Sequence, residues 1–234
     1  LSVNSLKKNK IDVAIIVTPV ETHYKIAKFF LNLNIPIILE KPVSKKIKEI
    51  EKLNKFSKKK RTSVIVNYSD LFNQNFLNIK KKIINKKKIK KLNINFKSTN
   101  NYSNKKFLPI LDWLPHYFAI YYSFFNSFNK IYLKKLKTVK INKTFSQSFE
   151  INIFKDKKNI SNFYFSNIIK KKIRKFELFY YDKKILYNGY NIKKNTPSPL
   201  ERIILKLYYS KLKKKYFNDL TKSIKIHKAI NQLI

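Results

Sequence analysis

Two short apolar runs near the start of the chain flank a stretch with helical spacing. Val13 to Val17 is continuously apolar, which is typical of a strand buried on both faces of a parallel sheet. The next stretch places apolar residues on one helical face, and Thr22 is positioned to cap it. Ile35 to Leu39 forms the second run. This order predicts a right-handed strand–helix–strand unit, with Glu40-Lys41-Pro42 at the sheet edge where open α/β folds bind ligands.

The same alternation continues to residue 68. Ser44 is positioned to cap a helix that extends to Phe56, with an apolar stripe on one face and lysines on the other. Ser63 to Asn67 then has the composition of a third short strand. The first part of the chain is therefore predicted to be an α/β layer built on a parallel sheet.

Beyond residue 68 the pattern predicts an α+β domain with an open, mostly antiparallel sheet. We expect an amphipathic helix within Leu77 to Lys91 and a strand from Leu92 to Phe96. Because proline is tolerated best in the first turn of a helix, Pro115 indicates a helix that begins near Asp112 and runs to about Phe125. The following residues are predicted to form an antiparallel meander of four strands, at 145–154, 160–166, 173–181 and 184–187. Two final helices are predicted at 200–212 and 217–233.

Composition narrows the classes of function. The chain has 234 residues, of which 44% are hydrophobic and 15% aromatic, so it can bury a sizeable core. It contains no cysteine, which excludes disulfides and thiol chemistry, and no metal ligands are predicted. No apolar run reaches the roughly 18 residues that span a bilayer. We therefore expect a cytoplasmic protein that does not act at a membrane.

The formal charge of +40 would ordinarily indicate a nucleic-acid partner. However, Arg61, Arg174 and Arg202 are the only arginines, whereas nucleic-acid sites favour the planar guanidinium group. The lysines are also spread along the whole chain. Abundant Lys, Asn, Ile, Phe and Tyr with a single glycine is the pattern of a low-GC coding sequence. Nucleic acid is therefore not the expected partner.

Short motifs at the two predicted strand ends resemble a known family. Thr18-Pro19, His23 and Glu40-Lys41-Pro42 have the order and spacing found in the glucose-fructose oxidoreductase, inositol dehydrogenase and MocA (Gfo/Idh/MocA) family of nicotinamide-dependent oxidoreductases. The resemblance implies that residues 1–68 are the C-terminal half of a Rossmann-type dinucleotide-binding domain and that 69–234 form a substrate and oligomerisation domain. It also implies that NAD or NADP is bound by Thr18, Pro19, His23, Glu40, Lys41 and Pro42.

A G-x-G-x-x-G turn, with which dinucleotide-binding folds approach a pyrophosphate, is not found in the sequence. Gly189 is the only glycine. In the family this turn lies upstream of the Thr18-Pro19 strand, so we expect the chain to be either a fragment or a naturally shortened protein. We do not expect such a chain to bind a dinucleotide tightly by itself.

Asp112 and His116 stand four residues apart on a predicted helix and therefore share a face. From the residues alone, Asp112 could cap the helix while His116 packs among aromatic side chains. The family resemblance favours catalysis, because its members carry an aspartate and a histidine at this spacing. It implies that His116 exchanges the substrate proton, that Lys41 polarises the substrate oxygen, and that Asp112 positions the substrate or the imidazole.

The other motif residues have competing structural interpretations. Thr18-Pro19 can simply end a strand, His23 can lie on the surface at a helix start, and His227 is interpreted as structural. The segment from Tyr68 to Phe76 resembles the family's link out of the nucleotide domain. The arginine often found in that link is replaced here, with Asp70 nearby.

The family resemblance implies hydride transfer between NAD or NADP and a hydroxyl or carbonyl group of a sugar, cyclitol or related molecule. The expected partners are a small polyol or sugar substrate and further copies of the chain, paired through the C-terminal sheet. The alternative is a truncated, non-catalytic member that serves as a sugar-binding or oligomerisation module. Affinity for NADH would distinguish the two hypotheses.

Overall fold

The computed structural model describes residues 11–99, 109–141, 144–169, 171–190, 196–213 and 215–233. The chain forms two compact units, and each is described by itself. The first comprises the described residues up to Tyr68 together with Leu200–Ile224, and the second comprises Ser69–Pro199 with the residues after Ile224. Among the described helices, none combines the length and the apolar composition that a membrane crossing requires.

A parallel three-stranded sheet forms the centre of the first unit. Its strands are β1 (Ala14–Ile16), β2 (Ile37–Leu39) and β3 (Val64–Val66), in that spatial order. The central residue of each strand is paired with the central residue of its neighbour. Every residue of β2 and β3 is buried, as expected for parallel strands that are covered on both faces.

The first strand differs from the prediction that both of its faces are buried. Within the described residues, β1 is an edge strand that pairs with β2. Ala14 and Ile16 are buried, but Ile15 is 46% exposed and Val17 is 68% exposed. The prediction was wrong for this strand because an apolar run alone does not reveal whether anything packs on its second face.

Two helices connect these strands: α1 (Val20–Asn32) and α2 (Ile47–Lys60). Both begin at positions other than those predicted. Pro19 occupies the cap position of α1, while Thr22 lies inside the first turn and donates its hydroxyl to the Pro19 carbonyl at 2.7 Å. Lys46 occupies the cap position of α2, and its N–H is accepted by Ser44 Oγ at 3.0 Å. Ser and Thr hydroxyls can bond the backbone at several positions around the start of a helix. The sequence pattern therefore predicts the turn in which a helix begins, but not which residue caps it.

The outer edge of β3 is covered by a segment from the end of the chain. Val64 N–H donates to the Phe217 carbonyl at 2.9 Å, and Asp219 N–H donates to the Val64 carbonyl at 3.0 Å. These bonds satisfy backbone groups that an edge strand would expose. The final helices are α5 (Pro199–Leu212) and α6 (Leu220–Asn231). The last helix begins later than the predicted residue 217 because 217–219 bond to β3.

A six-stranded, mostly antiparallel sheet dominates the second unit. Its strands are β4 (Ile89–Lys97), β5 (Lys130–Ile141), β6 (Thr144–Lys155), β7 (Lys158–Ser166), β8 (Ile173–Tyr180) and β9 (Lys183–Asn188). Their spatial order is β5-β6-β7-β4-β8-β9. The predicted fold class, a parallel α/β sheet followed by an α+β unit with a mostly antiparallel sheet, is confirmed.

The predicted meander is wrong at the centre of this sheet. β4 lies between β7 and β8, parallel to β7 and antiparallel to β8. The prediction followed chain order because hairpin turns are visible in the local sequence. Pairing with a strand far earlier in the chain is instead decided by packing. The sequence pattern also failed to delimit β5.

Helix α4 (Pro109–Phe125) packs along the sheet of the second unit. It begins before the predicted Asp112, so Pro115 lies inside the helix and not in its first turn. Tyr117 is fully buried and stacks on Phe163 of β7, with ring centroids 5.6 Å apart and an angle of 2° between the rings. Aromatic packing of this kind stabilises a helix that proline weakens.

The link between the two sheets ends in a short turn and a helix. Ser69–Phe72 forms a 3₁₀ turn, and α3 (Gln74–Lys82) follows it. Asn73 caps α3, since its side-chain oxygen accepts the Asn75 N–H at 2.9 Å. The helix predicted within 77–91 therefore starts earlier and is shorter. This turn places Asp70 in the interior of the second unit.

Candidate active-site residues

Two of the predicted motifs lie at one edge of the first unit's sheet. Thr18-Pro19 follows β1 and is exposed, and Glu40-Lys41-Pro42 follows β2 and is partly exposed. The Lys41–Pro42 peptide bond is cis. Neighbouring parallel strands end on the same side of a sheet, so both motifs occupy the edge where open α/β folds hold ligands.

His23 joins these two turns. It lies on α1 and is only 2% exposed, so the interpretation of His23 as a surface residue is wrong. Its Nδ1 lies 3.0 Å from the Pro42 carbonyl oxygen, and its Nε2 lies 2.8 Å from the Thr18 carbonyl oxygen. The ring therefore fixes the two turns relative to each other. Its partners are backbone carbonyls, which leave no signal in the sequence.

We expect the His23→Ala variant to lose about 2 kcal/mol of unfolding free energy, because a buried ring and its carbonyl contacts disappear together. Urea denaturation followed by circular dichroism measures this loss. Lys25→Ala, an exposed position on the same helix, is the control and should change stability by less than about 0.5 kcal/mol. Equal stabilities of the two variants would contradict the structural role of His23.

Glu40 is held by the end of the third strand. Its Oε1 accepts a hydrogen bond from Asn67 Nδ2, and its Oε2 accepts the Lys41 N–H at 3.1 Å. Asn67, which follows β3, was missed as a site residue. Its position directly after the third apolar run was the available signal. Glu40 thus shapes the turn that carries Lys41.

The residues predicted to bind the cofactor fall into two groups. His23 and Glu40 bond other parts of the protein, so they hold the turns in shape. Thr18 and Pro19 are exposed at the sheet edge, and Lys41 is partly exposed there. A hydroxyl and an ammonium group at this edge fit a polar, anionic ligand such as a nicotinamide nucleotide. The sequence offers no glycine-rich turn for its pyrophosphate.

In the second unit, Asp112 and His116 lie one helical turn apart on α4. Asp112 is half-buried. His116 is 9% exposed, and its ring centroid lies 5.8 Å from that of Trp113. The predicted pair therefore occupies one face of a well-packed helix.

A buried acidic residue contacts His116 and received no role from the sequence. Asp70 is 3% exposed, and its Oδ2 lies 3.2 Å from His116 Nδ1. The same oxygen accepts a hydrogen bond from Arg174 Nη2 at 2.6 Å. The other oxygen, Oδ1, accepts the Tyr187 hydroxyl at 3.3 Å. We call Asp70, His116, Arg174 and Tyr187 the Asp70 cluster.

Opposite charges decide the protonation of the Asp70 cluster. Burial by itself would raise the pKa of Asp70, but the charge of Arg174 and the contact with His116 lower that pKa to about 2. Burial by itself would lower the pKa of the Arg174 guanidinium, but the charge of the Asp70 carboxylate raises that pKa above its ordinary value. Burial and the Asp70 charge both raise the pKa of Tyr187. At neutral pH the cluster therefore holds an ionised carboxylate, a guanidinium and a neutral phenol.

The chain's single glycine packs against this cluster. A Cβ atom at Gly189 would lie 2.9 Å from Arg174 Cδ and 3.0 Å from the Tyr187 hydroxyl. The φ of Gly189 lies outside the left-handed region, so the requirement here is for space. Any side chain at this position would push against two partners of Asp70. The single glycine of the chain was the sequence signal for this close packing, but its position was not interpreted in that way from the sequence.

Two cavities in the second unit lie away from the predicted pair. One of about 1050 Å³ is lined mainly by residues of β5 and β6, and one of about 890 Å³ is lined mainly by β4, β7, β8, β9 and α3. Neither Asp112 nor His116 lines them. Neither of these two cavities therefore marks the predicted catalytic pair.

Comparison with known proteins identifies the first part of the chain. Residues 2–68 match the model of the GFO_IDH_MocA family, which is described as an oxidoreductase family with an NAD-binding Rossmann fold. Residues 2–68 are therefore similar to the Gfo/Idh/MocA family. The resemblance predicted from Thr18-Pro19, His23 and Glu40-Lys41-Pro42 is thereby confirmed. A search among curated proteins gave no match.

Solved structures extend the likeness in fold to nearly the whole chain. A myo-inositol dehydrogenase from Corynebacterium glutamicum is 12% identical, with a TM-score of 0.79 over 98% of this chain and 79% of that one. A UDP-N-acetylglucosamine 3-dehydrogenase from Acidithiobacillus ferrooxidans is 14% identical, with a TM-score of 0.79 over 99% and 80%. A dehydrogenase from Clostridium difficile is 16% identical, with a TM-score of 0.77 over 99% and 80%. At these identities the likeness concerns the fold alone.

Proposed function

We propose that this protein is an NAD- or NADP-dependent oxidoreductase that acts on a hydroxyl or carbonyl group of a sugar, cyclitol or related small molecule. The observation that carries the proposal is the family match of residues 2–68, in which Glu40-Lys41-Pro42 follows a buried parallel strand. Structural neighbours named as an inositol dehydrogenase and a nucleotide-sugar dehydrogenase support the substrate class.

The proposed roles follow from the chemistry of each side chain. When bound, the nicotinamide ring supplies the hydride acceptor or donor. The Lys41 ammonium donates a hydrogen bond to the substrate oxygen and stabilises negative charge as it develops there. His116 takes up the hydroxyl proton during oxidation and returns it during reduction. Asp112 positions the substrate or the imidazole.

The cofactor-binding role is assigned to the edge of the first unit's sheet. Thr18, Pro19, Lys41 and Pro42 would contact the nicotinamide nucleotide there. His23 and Glu40 would support it indirectly, because their polar atoms already bond Pro42, Thr18, Asn67 and the Lys41 backbone.

Nucleotide titration of the full chain tests the proposal. We expect saturable changes in NADH or NADPH fluorescence, with a dissociation constant in the weaker part of the roughly 1 μM–1 mM range typical of enzymes. NAD⁺ should compete with the reduced cofactor, and ATP should not. Reduction of NAD⁺ or NADP⁺ is then measured with a panel of cyclitols and sugars. A folded chain without nucleotide affinity would instead support a non-catalytic sugar-binding or oligomerisation module.

We further propose that copies of this chain associate through the sheet of the second unit. Among the side chains of that sheet whose burial the structure describes, three apolar ones are at least half exposed, and association would remove them from water: Tyr132, Leu136 and Leu186. A monomeric molar mass in light scattering would contradict this part of the proposal.

A further inference from the structure

The contacts of the Asp70 cluster point to one more functional residue. We infer that Asp70 is a positioning residue for His116: its carboxylate lies 3.2 Å from His116 Nδ1, and its charge sets both the tautomer and the orientation of the imidazole. This inference rests on the proposed role of His116 in proton exchange. The family resemblance does not supply it, because the segment that contains Asp70 corresponds to one in which an arginine is often found.

The tautomer follows from the chemistry of the contact. An ionised carboxylate only accepts hydrogen bonds. His116 Nδ1 lies 3.2 Å from Asp70 Oδ2, and the negative charge of the carboxylate repels a lone pair on that nitrogen, so the contact favours the form that carries the hydrogen on Nδ1. In a neutral imidazole the lone pair then lies on Nε2. Asp70 therefore selects Nε2 as the atom that exchanges a proton.

The carboxylate itself is held on both oxygens. Arg174 bonds Oδ2 at 2.6 Å, and Tyr187 bonds Oδ1 at 3.3 Å. The Asp70 side chain is 3% exposed, so water cannot easily replace these partners. A buried carboxylate persists in its charged form only with such partners. The group that contacts His116 is thus fixed in place and charged.

Arg174 is fixed in turn by aromatic rings. Its guanidinium carbon lies 5.5 Å from the Phe96 ring centroid and 5.8 Å from that of Trp113. Trp113 also contacts the His116 ring, at 5.8 Å between centroids. A planar guanidinium can stack on these rings while bonding a carboxylate, which a lysine ammonium cannot do. One of the three arginines among 53 basic residues stands at this position.

The test measures the tautomer of His116 by NMR of the ring nitrogens in the full-length protein. The chain has three histidines, so a His116→Gln spectrum assigns the signals. On the alkaline side of the ring's titration, the wild type should show the Nδ1–H form. Asp70→Leu should shift His116 towards the Nε2–H form. The matched control is Asp182→Leu, which removes a carboxylate that is 94% exposed and should leave the tautomer unchanged.

Asp70→Leu leaves the Arg174 guanidinium buried without its carboxylate, which can unfold the chain. A second variant therefore repeats the measurement without an unpaired charge. Asp70→Leu/Arg174→Leu removes both charges, and replacing a buried ion pair by apolar residues is often tolerated. It should show the same shift of the His116 tautomer. An Nδ1–H form that persists in this double variant would overturn the inference, as would an Nε2–H form in the wild type.

Activity supplies the second measurement. We expect kcat to fall on the order of 100-fold in the double variant, within the roughly 10²–10⁴ range of a positioned acid–base group. KM should change little. A wild-type kcat in the double variant would overturn the positioning role. If even the wild type is inactive, the proposed function fails while the tautomer measurement still decides the contact between Asp70 and His116.

Discussion

Lys41→Ala should lower kcat/KM on the order of 1,000-fold, with most of the loss in kcat. The proposed role of its ammonium is to stabilise negative charge on the substrate oxygen, which is greatest in the transition state. Interactions that strengthen only there affect kcat more than substrate binding. The fold should survive, because alanine keeps the backbone N–H that bonds Glu40 Oε2 at 3.1 Å. Steady-state kinetics with the substrate identified from the panel measures the effect.

The control for Lys41 must separate local chemistry from net charge. The chain carries a formal charge of +40, so removing any lysine changes the field that attracts an anionic cofactor. Lys48→Ala removes the same charge from an exposed position on α2 and should leave kcat unchanged. Wild-type turnover in Lys41→Ala would show that the proposed mechanism is wrong.

Arg174→Leu should lower the free energy of unfolding by roughly 3–5 kcal/mol, because it leaves the Asp70 carboxylate buried without its guanidinium. Asp70 is 3% exposed, and Arg174 Nη2 is its nearest partner in the cluster, at 2.6 Å. Urea denaturation at neutral pH measures the loss. The double variant Asp70→Leu/Arg174→Leu should recover most of it, since no unpaired charge remains. A double variant as unstable as Arg174→Leu would show that packing, and not charge, accounts for the loss.

The same pair predicts how stability depends on pH. The pKa of Asp70 in the folded chain, about 2, lies below its ordinary value of 3.8. Its contribution to stability is therefore present above 3.8 and is lost as the pH falls through the interval down to about 2. This contribution is about 2 kcal/mol. The free energy of unfolding of the wild type should therefore fall by that amount relative to that of the double variant over this interval, as measured by urea denaturation at each pH.

Local sequence identified most elements and the first unit's motifs. The apolar runs before Thr18 and Glu40 were strands, and the stretch between them was a helix, because neighbouring residues alone decide such periodicity. The residue types and spacing of Glu40-Lys41-Pro42 were sufficient to indicate the family. They could not indicate that His23 is buried against two carbonyl groups, since backbone partners have no residue identity.

The errors share one physical cause. Each error depends on what packs against a helix or strand. The errors concern the exposed side chain of Ile15, the position of β4 between β7 and β8, and the location of Pro115 inside α4. A helix or strand propensity is a property of a few neighbouring residues, whereas burial and pairing depend on distant ones. The local pattern therefore located these elements but not their surroundings.

The sequence by itself determined the order of elements, the fold class, the family motifs and the helical spacing of Asp112 and His116. Only the tertiary structure decided that the carboxylate at His116 Nδ1 belongs to Asp70, and that this carboxylate is neutralised by an arginine 104 residues away. Folding must bury these groups together, because an unpaired charge in the interior is far more costly than a paired one. Such a pairing depends on distances in the folded chain, which no local pattern encodes.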